Sequence, residues 1–166
     1  YTFLDDTKHD SELFLKPAHL RTWLSAAKDQ KLRRVRIALH GSDDAGYAAI
    51  RDSRLGMNLT NAGNKNGQAQ GNGIYFTCDD GAFAYNNATP TSAIIALILT
   101  HEGFNSTGAY TNFTRCDHCT RNSSHSNPTH TNFRIYTTNQ PDDHNNSIVL
   151  HDATLHLVLG KVTALH

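Results

Sequence analysis

The chain has 166 residues, and 15 Lys and Arg balance 15 Asp and Glu, so the net charge is zero with its 11 histidines neutral. This length corresponds to one ordinary domain with a real core. The charge balance argues against a general nucleic-acid or membrane-surface binder, because such binding needs a surplus of basic residues.

The first predicted element is an amphipathic helix. Pro17 fits the first turn of a helix. The apolar residues that follow recur at i, i+3, i+4 and i+7, which is the spacing of one helix face. That face comprises Leu20, Trp23, Leu24 and Ala27.

A strand and a second helix come next. Val35, Ile37 and Leu39 alternate with Arg34 and Arg36, which predicts a half-buried strand. The strand ends at His40-Gly41-Ser42. Asp43 or Asp44 is then expected to cap a helix that carries Tyr47, Ala48 and Ile50.

Residues 56–73 are rich in Gly, Asn and Gln and predict a long flexible loop, a type of segment that is often functional. The loop closes on a short strand at 73–76, and Asp79 or Asp80 is expected to cap a helix that reaches Tyr85. Residues 93–100 predict a fully buried strand. The last strands are expected around Phe133 and Ile135, at 147–151 and at 154–162.

One ordered set of motifs contains the candidate functional residues. His40-Gly41-Ser42 closes a strand, a helix and a glycine-rich loop follow, then comes Gly71-Asn72-Gly73-Ile74-Tyr75-Phe76, and Tyr85 stands nine residues after Phe76. This order resembles the NAD⁺ pocket of the poly(ADP-ribose) polymerase family and of the diphtheria-type toxins. The resemblance covers roughly residues 34–162 and is close over 38–85. It implies an α+β fold of two packed, mostly antiparallel sheets with a few short helices.

The resemblance also implies a role for each matched residue. His40 would hydrogen-bond a ribose hydroxyl of NAD⁺, and the backbone of Gly41 would hold the nicotinamide carboxamide. Ser42 would add a ribose or phosphate contact. Tyr75 and Tyr85 would sandwich the nicotinamide ring, since aromatic faces stack on a flat heterocycle. The structural alternatives are that His40 is an ordinary strand-end histidine and that Tyr85 is a plain core residue.

Two positions depart from the family pattern. Asn146 stands where the family's catalytic Glu precedes the last signature strand, and Ala82 lies near the place of a Ser that binds the carboxamide. Asn lacks the charge of a carboxylate base, although it can still hydrogen-bond a ribose 2′-hydroxyl. Alternatively, Asn146 is only a turn residue.

Two function classes follow from these departures. The resemblance implies a mono-ADP-ribosyltransferase that moves one ADP-ribose from NAD⁺ to a macromolecule, with a protein acceptor favoured over a nucleic acid. The alternative is a catalytically silent NAD⁺-binding domain of the same fold.

A second motif has the spacing of metal ligands. Cys116, Cys119, His125 and His130 form a Cys-x2-Cys-x5-His-x4-His pattern in a polar stretch. Two thiolates and two imidazoles suit tetrahedral Zn²⁺, whose role with four protein ligands would be structural. The alternatives are a mobile His-rich loop and, as a third function class, a zinc-stabilised interaction domain.

The expected organisation is a single domain over residues 1–166, and the missing initiator Met suggests that it was cut from a longer protein. No apolar run approaches the ~20 residues that cross a bilayer, so no membrane partner is expected. Three cysteines favour a reducing compartment, cytoplasmic or nuclear. Six Asn-x-Ser/Thr sequons leave secretion as the alternative.

Overall fold

The computed structural model describes residues 4–28, 34–58, 74–77, 82–83, 87–100, 133–136, 147–150 and 152–165. Within these ranges the chain has an α+β fold with two α-helices and seven β-strands. In chain order the elements are β1 (His9–Leu13), α1 (Pro17–Ala27), β2 (Arg34–His40), α2 (Asp44–Asp52), β3 (Ile74–Thr77), β4 (Ser92–Thr100), β5 (Phe133–Tyr136), β6 (Ser147–Leu150) and β7 (His156–Ala164). A 3₁₀ turn at Ala153–Leu155 leads into β7.

The described strands form one antiparallel sheet in the order β1-β7-β4-β2-β3-β6-β5. The expectation of two packed sheets is therefore wrong for this part of the chain. The pairing of Leu39 with Thr77 joins the ladder of β1, β7, β4 and β2 to the ladder of β3, β6 and β5. Periodicity in a sequence shows which face of a strand is buried, but not which strands pair.

Strand β4 lies between β2 and β7 and pairs with both along most of its length. Ala93, Ile94, Ala96 and Ile98 are buried. The predicted strand at 93–100 is confirmed as part of β4, but it is not fully buried, since Ile95 and Leu97 are only partly buried.

Helix α1 begins at Pro17 as predicted, but its buried face is rotated from the expected one. His19 and Trp23 are its buried residues, whereas Leu24 is 47 % exposed. The indole Nε1–H of Trp23 donates to the Leu155 carbonyl at 3.1 Å. The buried face of α1 thus includes a side chain that hydrogen-bonds the backbone of another element, a contact that hydrophobic spacing does not reveal.

The two faces of the sheet carry two apolar clusters. Ala38 belongs to the larger cluster, which includes residues of both helices, and Leu39 packs with Ala82 in the smaller one. Successive strand residues point to opposite faces, which explains the division. Strand β2 is present as predicted, but its apolar face is only partly covered, since Val35 is 54 % and Ile37 44 % exposed.

Helix α2 is capped by Asp43, whose Oδ1 accepts the Gly46 backbone N–H at 2.8 Å. This confirms the predicted cap and helix. The predicted loop lies outside the described residues from 59 onward, and so does most of the predicted helix to Tyr85. Neither described helix is long and apolar enough to cross a membrane.

Candidate functional site

His40 and Tyr75 are brought together by the neighbouring strands β2 and β3. The imidazole Nδ1 of His40 lies 2.7 Å from the Tyr75 carbonyl oxygen. A carbonyl can only accept a hydrogen bond, so Nδ1 carries the proton in the neutral ring. The other nitrogen, Nε2, is then left with a lone pair that can accept a hydrogen bond from a ligand hydroxyl.

The surroundings of His40 favour its neutral form. Burial lowers the pKa of this imidazole, although the hydrogen bond to the Tyr75 backbone opposes that shift. The ring also lies 5.9 Å from the ring of buried Phe76, measured between centroids. At neutral pH, His40 is therefore a hydrogen-bond acceptor at Nε2 and not a cation.

The turn after β2 is held by hydrogen bonds to both backbone groups of Ser42. Its N–H donates to the Tyr47 hydroxyl at 3.0 Å, and its carbonyl accepts the Asn87 N–H at 3.0 Å. Gly41 lies between this residue and His40 and is partly exposed. The predicted residues His40, Gly41, Ser42 and Tyr75 are thus brought to one place.

Helix α2 begins directly after this turn, and two carboxylates offset the partial positive charge at its amino end. Asp43 caps the helix and Asp44 occupies its first turn. Carboxylates at this position offset the positive end of the helix dipole. The turn is therefore suited to neutral hydroxyl and carboxamide groups of a ligand better than to a phosphate.

Ala82 is buried, and its N–H donates to the Thr77 hydroxyl at 3.1 Å. Tyr85 and Asn146 lie outside the described residues. Ser147, the residue after Asn146 in the sequence, pairs with Thr77, which also pairs with Leu39. Strand β6 therefore begins beside the same β3 residue that pairs with β2 on its other side.

The predicted metal ligands Cys116, Cys119, His125 and His130 lie outside the described residues. Among the residues that are described, no group of three or more His, Cys, Asp or Glu side chains could hold a metal ion. The zinc site stays a prediction from the sequence.

Sequence reasoning missed a buried histidine pair. The rings of His19 on α1 and His156 on β7 lie 4.9 Å apart. His156 Nε2 accepts the Met57 N–H at 2.9 Å, and its Nδ1 donates to the Ala153 carbonyl. His19 Nε2 accepts the Val158 N–H at 3.0 Å. Each Nε2 lone pair is thereby engaged by the backbone, so the pair is not a metal site.

Burial sets the protonation state of this pair. It lowers the pKa of His156 to about 3, with smaller contributions from His19 and His40, and it lowers the pKa of His19. Two features of the sequence could have revealed the pair. His19 stands four residues before Trp23 on α1, and His156 lies between Leu155 and Leu157.

Gly56 closes over both imidazoles. Its φ is +75°, and a Cβ there would lie 2.6 Å from His19 Nε2 and 2.7 Å from His156 Nε2. Only glycine satisfies both the backbone conformation and the space. Phe76 lies 6.2 Å from His156, between centroids, and also contacts the His40 ring. A row of rings therefore runs from His40 to the buried pair.

No protein-family model matches the sequence, and no curated protein matches it. An interpretation of the site therefore depends on the arrangement of His40, Gly41, Ser42 and Tyr75.

Proposed function

We propose that this domain binds NAD⁺ and transfers a single ADP-ribose to a macromolecular acceptor. The observation that carries the proposal is the hydrogen bond from His40 Nδ1 to the Tyr75 carbonyl. It joins the histidine of one motif to the tyrosine of the other, and it leaves Nε2 able to accept a ribose hydroxyl.

The reaction would break the bond between the ribose C1′ and the nicotinamide nitrogen. Nicotinamide leaves as a neutral molecule with the bonding electron pair, and the ribose gains oxocarbenium character. A nucleophile of the acceptor then bonds to C1′ and loses a proton. In this scheme His40 and Gly41 orient the nicotinamide riboside, while Tyr75 and Tyr85 stack on the ring and exclude water.

Asn146 restricts the proposed activity. A neutral side chain cannot act as the base that activates the hydroxyl of a growing chain. We therefore propose mono-ADP-ribosylation and not polymerisation. A protein acceptor fits better than a nucleic acid, because the chain has no excess of basic residues.

The same Asn146 supports a second candidate, a domain that binds NAD⁺ without transferring ADP-ribose. Its amide can still hydrogen-bond a ribose hydroxyl, so binding would survive the loss of the charge. The two candidates share the pocket and differ only in turnover.

The test compares wild type with His40→Asn. The Asn side-chain amide can replace the Nδ1 donor to the Tyr75 carbonyl, but it offers no acceptor at the place of Nε2. We expect NAD⁺ to stabilise wild type by about 2.7 kcal/mol at a hundredfold excess over its Kd. We expect His40→Asn to fold, to lose most of this stabilisation, and to give no labelled product from labelled NAD⁺.

Each outcome separates the candidates. NAD⁺ binding with nicotinamide release and labelled protein supports transfer, whereas binding without release supports the silent pocket. If millimolar NAD⁺ does not stabilise wild type, both candidate functions are wrong. Labelling that persists in His40→Asn would move the site away from His40.

A further inference from the structure

We infer that Tyr47 and Gly46 are positioning residues that fix the turn at Gly41 and Ser42 for its ligand. The inference rests on the proposed function, and it adds two residues that the motif resemblance does not assign. Neither residue needs to touch NAD⁺, because both act through Ser42.

The hydroxyl of Tyr47 bridges the turn to β4, the strand that pairs with both β2 and β7. It accepts the Ser42 N–H at 3.0 Å and donates to the Ser92 carbonyl at 2.7 Å. Ser92 is the first residue of β4. The turn is thereby anchored to β4 and not only to β2, the strand that precedes it.

Tyr47 is suited to a fixed structural bond. Its side chain is 2 % exposed, so a ligand has little access to it. Burial raises the pKa of its hydroxyl to about 12, so the O–H donor is present at neutral pH. The Tyr47 ring also has a cation near it. Lys161 Nζ lies 5.8 Å from the centroid of this ring and 3.9 Å from a Glu12 carboxylate oxygen.

Gly46 holds the same turn from the helix side. A Cβ at this position would lie 1.9 Å from the Ser42 Oγ, an overlap that forces the serine to move. The Gly46 N–H also donates to Asp43, so the first turn of α2 is fixed by its cap. The Ser42 side chain therefore sits where only a glycine leaves space for it.

Together these contacts determine the orientation of Gly41. Its preceding residue, His40, is tied to the Tyr75 carbonyl, and its following residue, Ser42, is tied to Tyr47 and to Asn87. A peptide unit that is fixed on both sides can present its N–H and C=O to a carboxamide without first being ordered.

The test is the dissociation constant for NAD⁺, measured by calorimetry, in wild type and Tyr47→Phe. Removing the hydroxyl frees the Ser42 N–H, and we expect the Kd to rise roughly fivefold, which corresponds to about 1 kcal/mol. In turnover measurements KM should rise more than kcat falls, because the turn binds NAD⁺ in the ground state as well as in the transition state.

The matched control is Trp23→Phe. It removes another buried side-chain bond to a backbone carbonyl, that of Leu155, far along the chain from the turn. We expect this variant to lose thermal stability but to bind NAD⁺ like wild type. A purely structural role of Tyr47 would make the two variants alike in NAD⁺ affinity, and the inference would then be wrong.

Gly46→Ala gives a second, independent variant. Alanine has the higher helix propensity, so loss of helix stability alone does not predict weaker binding. We expect its NAD⁺ affinity to fall because the serine is displaced. Wild-type affinity in Gly46→Ala would likewise overturn the role assigned to Gly46, and in either case the proposed function is left standing. Failure of wild type to bind NAD⁺ overturns both.

Discussion

His19 and His156 lie with their rings 4.9 Å apart, and the Nε2 of each accepts a hydrogen bond from a backbone N–H. A proton on either Nε2 would abolish that bond and place a cation in the core. A proton on both would also set two like charges side by side. The folded protein therefore requires both imidazoles to be neutral.

The first prediction is acid sensitivity. The unfolded chain binds a proton at His156 below about pH 6.5, whereas the folded pKa is about 3. The contribution of neutral His156 to the free energy of unfolding is thus complete above about pH 6.5. It is lost progressively as the pH falls toward 3. Between pH 7 and pH 5 we expect a loss of about 2 kcal/mol from His156 alone, measured by urea unfolding at both values.

Two variants test the origin of this pH dependence. His156→Gln keeps an acceptor for the Met57 N–H but cannot titrate, so it should reduce the slope of stability against pH. Trp23→Phe weakens the same region through its bond to Leu155 and should leave the slope unchanged. An unaltered slope in His156→Gln would contradict the assignment.

The second prediction concerns Gly56. Gly56→Ala should lower the free energy of unfolding by about 2–4 kcal/mol, because it adds strain at positive φ and a Cβ that overlaps both imidazoles. Gly56→Asn separates the two effects, since Asn tolerates this backbone better. A similar loss in both variants indicates overlap, whereas a mild effect in Asn indicates backbone strain. Wild-type stability in Gly56→Ala would contradict both.

Local signals predicted several elements of the fold. Pro17 marks the start of α1, Asp43 caps α2, and the apolar run at 93–100 forms β4. Strand β1 was not predicted. Its residues are mostly exposed and it pairs at the sheet edge with β7, so its sequence carries little of the period that marks a strand.

The candidate site could be predicted only as far as its motifs. His40, Gly41, Ser42 and Tyr75 were identified, but the link between His40 and the Tyr75 backbone requires the pairing of β2 with β3. The buried histidines were missed for a similar reason. His19 and His156 are 137 positions apart in the printed sequence, and polar residues become core residues only when tertiary contacts satisfy them.

The third prediction is that Asn146→Glu raises the rate of NAD⁺ cleavage. A carboxylate can stabilise the developing positive charge on the ribose, which an amide cannot do as well. Nicotinamide release, measured by chromatography, reports the rate. Asn145→Glu makes the same charge change one residue earlier and should have no effect. Equal rates in wild type and Asn146→Glu would show that the alignment of this position is wrong.

The fourth prediction concerns the cysteine and histidine motif. Metal analysis of purified protein should find about one zinc per chain. The double variant Cys116→Ala with Cys119→Ala should contain none. Cys78, the remaining cysteine of the chain, lies outside the motif, so Cys78→Ala should keep the metal. Zinc that is absent from wild type, or retained by the double variant, would favour the loop interpretation.

Trp23 is the single tryptophan of the chain, and it is buried with its indole N–H bound to the Leu155 carbonyl. Its fluorescence therefore reports on one location, where α1 meets the turn before β7, while far-UV circular dichroism reports on the whole backbone. If the two signals change at the same urea concentration, the domain unfolds as one unit. If the fluorescence changes first, α1 separates from an intact sheet, and the intrinsic probe records the event without any label.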